Sequence, residues 1–288
     1  MKLGDKMLVN ATELLMIANK NKYAIAQFNV NNLEWAKYIL EECQANRSPV
    51  ILGFSEGAIN YIGGYNVSAQ IVKSLITDLK IDIPVVIHLD HGSSVDSCKK
   101  AIEAGFTSVM IDASKYDLET NLKMTKEVVN LAHLKNVSVE AEVGHIGGTE
   151  DGISSELAYA KVEDAIELAN TGIDFIAPAL GSVHGLYKSE PKLDFERMMK
   201  INELSNIPLV LHGGTGIPDE LIKKAISCGV SKLNINTELQ ISWSEAVKKF
   251  VMDKKDVYDP RKIISSGEKA LKEAVRTKIM LLGSNDRA

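Results

Sequence analysis

The chain has 288 residues, 45% hydrophobic and 25% charged, the composition of a globular protein long enough for one large α/β barrel or two modest domains. A formal net charge of −5 excludes the basic footprint of a nucleic-acid binder. The three cysteines, Cys43, Cys98 and Cys228, lack the spacing of a disulfide framework or a thiolate zinc site.

The opening stretch MKLGDKMLVNATELL mixes acidic residues with short apolar runs, which suits neither a secretory signal nor a spanning segment. A cytoplasmic protein with no membrane partner is the expectation. Further along, short apolar runs read as buried parallel strands at 24–30, 50–54, 85–89, 108–111, 137–143, 175–180, 209–211 and 233–235. Helical patterns such as LEWAKYILEECQAN and DELIKKAISC lie between them, and Cys98 and Cys228 read as core residues of such helices. Three segments, AIEAGFTSVMI, ELANTGIDFIA and AISCGVSKLNI, share a plan of helix end, glycine and strand. Gly105, Gly172 and Gly229 suit the left-handed position past a helix end, where a Cβ is costly. No Pro/Gly-rich linker divides the chain. Eight alternations predict an α/β fold, a (β/α)8 TIM barrel forming a single domain over 1–288 with a C-terminal helical extension; an open doubly wound sheet is the alternative.

The residues with chemical potential fall at the carboxyl ends of those strands. The third run, VVIHLDHGSS (Val85–Ser94), ends in Asp90 and His91; Asp112 follows the fourth, Glu140 and Glu142 lie in the fifth, His184 follows the sixth, His212 the seventh, and Asn234 and Asn236 belong to the eighth. In a barrel all eight ends ring one mouth, where active sites of this architecture lie. His91, His184 and His212 are each followed by glycine, which permits close backbone approach to a ligand. Three neutral imidazoles at one mouth suit zinc or a similar divalent ion and leave a position open for substrate. His88, His133 and His145 lack that context and read as structural. LHGGTG (Leu211–Gly216) runs into IPDELIKKAI, a helix start, so its backbone N–H groups suit a phosphate and imply a phosphorylated substrate.

At these residues the sequence resembles the class II, metal-dependent fructose-1,6-bisphosphate aldolases, in particular the shorter bacterial type that includes the tagatose-bisphosphate aldolases. The motifs carrying the likeness are AQFNVNN, LGFSEGA, HLDHGSS, VMIDAS, VEAEVGHIGGTED, GSVHGLYK, LHGGTG, LNINTE and YDPRK, spread over nearly the whole chain. The resemblance implies a (β/α)8 barrel and reversible cleavage of fructose 1,6-bisphosphate to dihydroxyacetone phosphate and glyceraldehyde 3-phosphate, as in glycolysis and gluconeogenesis. It makes His91, His184 and His212 ligands of a catalytic Zn2+, with Asp112 and Glu142 near a second or alternative metal site. Asp90 matches the acid/base at the C4 hydroxyl, and Glu150 the acidic residue that moves the C3 proton. Asn29, Gly185, Lys188, Gly213, Thr215, Asn234, Asn236 and Thr237 match substrate-binding positions, most of them around the dihydroxyacetone phosphate moiety. Ser55 and Arg261 match positions for the other phosphate, Arg261 reaching over from a neighbouring subunit. The resemblance thus implies a homodimer or higher homo-oligomer, and a monovalent cation held by carbonyls of the glycine loops.

Three readings compete. A tagatose-1,6-bisphosphate aldolase shares nearly every motif, although the resemblance places alanine in many such relatives where Asn236 stands. A Schiff-base aldolase would use Lys188 or Lys232 as nucleophile but leaves the three His-Gly pairs unexplained. A non-catalytic phosphosugar-binding barrel has no need of Asp90 and Glu150.

Overall fold

The computed structural model describes residues 7–150, 153–185, 187 and 190–288, with the backbone alone at 149, 150 and 153–155. The apolar runs become strands β1 (Ile25–Asn29), β2 (Val50–Ser55), β3 (Val85–Gly92), β4 (Ser108–Ile111) and β5 (Ser138–Val143). Two short strands, β6 (Gly147–Glu150) and β7 (Ile153–Ser155), follow before β8 (Phe175–Pro178), β9 (Val183–His184), β10 (Leu209–Leu211) and β11 (Val230–Ile235). Eight of these close a parallel barrel in the order β1-β11-β10-β8-β5-β4-β3-β2, so the chain is a (β/α)8 barrel and not an open sheet. Every residue of β1, β2 and β5 is buried, since helices cover the outer face and side chains fill the inner one.

Two strands outrun the apolar pattern. β3 continues through Asp90 and His91 to Gly92, with a register shift between Leu89 and Gly92 where His91 adopts a left-handed φ of 49°. β11 begins three residues before the apolar run, at Val230, because the polar Ser231 and Lys232 interrupt the hydrophobicity and are nonetheless fully buried.

Local signals set the turns. Gly105, Gly172 and Gly229 take φ of 90°, 97° and 114°, as their positions past helix ends require. On the carboxyl side of the first four strands, Asn32, Ser55, Ser94 and Asp117 cap the following helices by accepting the N–H of Trp35, Ala58, Ser97 and Thr120. Cys98 lies in the helix Val95–Ala104 and Cys228 caps the helix Asp219–Ser227; all three cysteines are buried and unpaired. His133 closes the helix Leu118–His133, with Nε2 3.0 Å from Asp174.

The main hydrophobic core lies between the barrel wall and its helices. A second cluster fills the amino-terminal end of the barrel, where Leu14, Leu15 and Ala18 of the helix Thr12–Asn21 pack on Ile25, Ile51, Val86, Phe175 and Val210. Val9 and Val85 hydrogen-bond through their backbones, tethering this plug to β3. At the other end of the chain the helix Glu268–Leu282 packs against β1 and the helix Leu33–Ala45, with Lys272 paired to Glu41 and Arg276 to Glu42.

Candidate active site

Strand pleating explains how the site is assembled. Residues i and i+2 of a strand share a face, and four barrel strands carry buried polar pairs at that spacing: Gln27 and Asn29, His88 and Asp90, Glu140 and Glu142, Lys232 and Asn234. Such groups stay buried only if they satisfy one another. Across the barrel, Lys232 Nζ lies 2.7 Å from Glu140 Oε2 and 2.9 Å from Asn234 Oδ1. Glu140 Oε1 lies 2.8 Å from His212 Nε2, and His88 Nδ1 2.8 Å from Ser108 Oγ. Toward the mouth, Asp90 accepts from Asn29 Nδ2 at 2.9 Å and from Asn234 Nδ2 at 3.2 Å, while Gln27 Nε2 lies 3.3 Å from Asn29 Oδ1.

The three histidines meet. Their ring centroids are 4.7 Å apart for His91 and His212, 5.1 Å for His91 and His184 and 5.7 Å for His184 and His212. One nitrogen of each lies within 4.8 Å of the others. His184 stands on β9, which pairs with β6 in a small sheet of order β7-β6-β9 absent from the sequence expectation. Glycine permits that docking: at Gly148 (φ 98°) a Cβ would strike the His184 backbone, and at Gly213 (φ 66°) the Val183 carbonyl. Tyr187 locks the same turn, its hydroxyl accepting from Val183 N and donating to Gly213 O, each at 3.0 Å.

On the other side of His91, Asp112 Oδ2 lies 2.9 Å and Glu142 Oε2 3.8 Å from Nδ1, so His91, Asp112 and Glu142 form a second cluster with metal-binding spacing. Their carboxyls differ. Burial would raise Asp112, but the hydrogen bond and charge of His91 with the Ser114 contacts hold it well below the usual range. Burial, reinforced by the Asp112 charge, pushes Glu142 well above it. In Glu140 the Lys232 ammonium and the His212 hydrogen bond outweigh burial and keep the carboxyl low.

The geometry tests whether a metal fits. His91 Nδ1 faces the Asp112 carboxylate and His212 Nε2 that of Glu140, so the other nitrogen of each ring is turned toward the centre of the cluster. There His91 Nε2 and His212 Nδ1 lie 3.0 Å apart. Tetrahedral zinc at its usual bond length sets its ligand nitrogens about 3.3 Å apart, close to that spacing. The donor set fits.

Beside the histidines a cavity is lined by Asn29, His184, Gly185, Gly213, Gly214, Thr215, Asn234, Asn236, Thr237 and Gln240, most of them sites read from the sequence. Gly214 and Gln240 escaped that reading. The helix whose first turn faces the cavity is Thr237–Asp253, not Asp219–Ser227, which corrects the expectation for LHGGTG. Thr215 instead accepts the Glu238 N–H at 3.1 Å, tying the glycine turn to that helix.

Ser55 ends β2 in register with Asp90 and lies outside the cavity lining. Arg261 is 89% exposed on the helix Pro260–Ser265, paired with Asp259, and does not line the cavity of its own chain. Of Glu150 only the backbone is described, at the end of β6, and Lys188 lies outside the described residues. His145 joins neither cluster; its backbone pairs with Ala158. Lys232 is enclosed with its ammonium given to two acceptors, which removes it as a Schiff-base nucleophile.

A parallel barrel with imidazoles and carboxylates converging at its carboxyl mouth defines a (β/α)8-barrel enzyme built to hold a metal. The family profile described as "Fructose-bisphosphate aldolase class-II" matches residues 9–287. The fructose-bisphosphate aldolase of Geobacillus stearothermophilus is 54% identical, covering 98% of this chain and 99% of its own. The probable fructose-bisphosphate aldolase of Bacillus subtilis (strain 168) is 52% identical over the same shares. The crystal structure of the YdjI aldolase from Escherichia coli K12 superposes with a TM-score of 0.85 at 35% identity, covering 98% of this chain and 100% of that one. The chain belongs to the class II fructose-bisphosphate aldolase family. Among the described residues no helix is long and apolar enough to cross a membrane.

Proposed function

We propose that the chain cleaves fructose 1,6-bisphosphate reversibly to dihydroxyacetone phosphate and glyceraldehyde 3-phosphate in the cytoplasm, with His91, His184 and His212 holding a zinc ion. The observation that carries this reading is the meeting of three imidazoles from β3, β9 and the end of β10 beside Asp90. When bound, the cation supplies Lewis acidity toward the sugar ketone. The protein supplies placement and proton transfer.

Asp90 takes the C4 hydroxyl proton as the C3–C4 bond breaks. Two amide N–H groups aimed at its carboxylate orient it and leave it an acceptor. Glu150 returns a proton to C3. The turn 213–215 and the first turn of Thr237–Asp253 receive one phosphate, where backbone N–H groups and the helix dipole favour an anion. Gly185, Lys188, Asn236 and Thr237 complete that end, and glycine-loop carbonyls there hold a monovalent cation. Asp112 and Glu142 give the ion a second position beside His91. Ser55 takes the other phosphate together with Arg261 from a second copy of the chain, since Arg261 stands away from its own cavity. A homodimer or higher homo-oligomer follows.

The test compares cleavage rates for fructose and tagatose 1,6-bisphosphates on the purified zinc enzyme. Preference for fructose supports the reading, and faster cleavage of the tagatose epimer overturns it.

A further inference from the structure

The barrel interior just beneath the mouth holds a charged pair where most barrels of this type hold branched apolar side chains. Lys232 on β11 and Glu140 on β5 come from strands separated by β10 and β8, and they meet across the interior with no exposed surface on either side chain. Removing two charges from water costs several kcal/mol per ion and is often no better for stability than an apolar replacement. A reason other than stability is therefore wanted.

Hydrogen-bond direction supplies one. An ammonium has three N–H donors and no lone pair, so both of its partners must accept. Glu140 accepts through Oε2, and its other oxygen faces His212 Nε2 at 2.8 Å. Asn234 accepts through Oδ1, which turns its NH2 toward Asp90 Oδ1 at 3.2 Å and His212 Nδ1 at 3.3 Å. An Asn amide rotated by half a turn would set its oxygen against the Asp90 carboxylate and its NH2 against the ammonium, and a Glu140 carboxylate swung toward another partner would leave His212 Nε2 without its acceptor. The contacts of Lys232 with both side chains hold them against either change.

We propose that Lys232 is a positioning residue for both halves of the chemistry: through Glu140 it fixes which nitrogen of His212 faces the metal, and through Asn234 it fixes which end of an amide faces Asp90. This rests on the reading that His91, His184 and His212 hold the metal. Lys232 touches neither metal nor substrate.

The test uses the double variant Lys232→Met/Glu140→Gln, which removes both charges together and leaves no unpaired ion. Zinc affinity by chelator competition is expected to fall about 10–100-fold, the usual consequence of losing a partner of a metal ligand. The visible spectrum of the cobalt-substituted protein shifts, and at saturating zinc kcat falls while KM changes little. A purely structural pair would lower the unfolding temperature and leave zinc affinity, spectrum and kcat alone; that result overturns the proposal.

Should the double variant not fold, 15N NMR of histidine-labelled wild-type apoprotein decides. His212 protonated at Nε2 supports the assignment, and protonation at Nδ1 overturns it. Wild-type protein that binds no zinc, or binds it unchanged after His184→Ala, overturns the underlying site reading instead, so the two failures are separable.

Discussion

The two ends of the barrel interior belong to one wall of strands and are built from opposite materials. At the amino end Ile25, Ile51, Val86, Phe175 and Val210 meet Leu15 of the plugging helix, and dispersion and burial alone hold them. Toward the mouth, Glu140 on β5, Lys232 and Asn234 on β11, His88 and Asp90 on β3 and His212 after β10 are just as buried and are held by directed hydrogen bonds. The apolar end tolerates any side chains of the right volume; the polar end tolerates only one arrangement of donors and acceptors. Stability and chemistry are thus segregated along one axis, and substitutions at the two ends should fail in different assays.

Stripping the metal is the most severe break. Chelation is expected to abolish cleavage, with zinc restoring it, while borohydride plus substrate leaves the enzyme active; cleavage that persists without metal would contradict the divided design. Asp90→Ala comes next, lowering the cleavage rate by about 10²–10⁴-fold with zinc content and unfolding temperature close to wild type. At the opposite end Leu15→Ala should cost about 2–5 kcal/mol of stability and leave kcat/KM of the folded enzyme unchanged. If instead it impaired catalysis at full folding, the ends would not be independent.

His88 lies where the two materials meet, so it sharpens the boundary. Burial, and then the Lys232 ammonium, push its pKa from 6.5 down to about 3. A neutral buried imidazole contributes stability that is fully present above the unfolded value of about 6.5 and is lost as pH falls toward 3. The fall in unfolding temperature across that window should be shallower in His88→Gln, and equal slopes would rule His88 out. The smallest effect is assigned to Asp117→Ala, on a loop at the carboxyl end. Loss of its bond to Thr120 N should lower the unfolding temperature slightly with no change in kinetics, showing that nearness to the mouth is not enough to matter for turnover.

The apolar material was the easier to read. Strands buried on both faces appear as unbroken runs, and β4 and β10 have the limits that their runs predict. His-Gly at three strand ends gave the metal cluster by composition and position together. Lys232 hid the start of β11, because a lysine normally marks a strand's exposed edge and here its partner stands on another strand 92 residues earlier. Glu140 was visible as a strand-end acid, yet its grip on His212 depends on barrel closure. The i, i+2 pairing of polar residues in four strands was a usable signal that alternation within apolar runs obscured. The sheet β7-β6-β9 was illegible for another reason: its strands are two to four residues long, too short for any period to show.

The plugging helix has a consequence for biosynthesis. Its seat is made of residues as far along as Val210, and the wall that carries them closes only when β11 joins β1. The helix Thr12–Asn21 is synthesised before every strand that seats it and thus waits until β11 has been made before its apolar face finds cover. Until then Leu14, Leu15 and Ala18 offer a sticky stripe to any chaperone or neighbouring nascent chain.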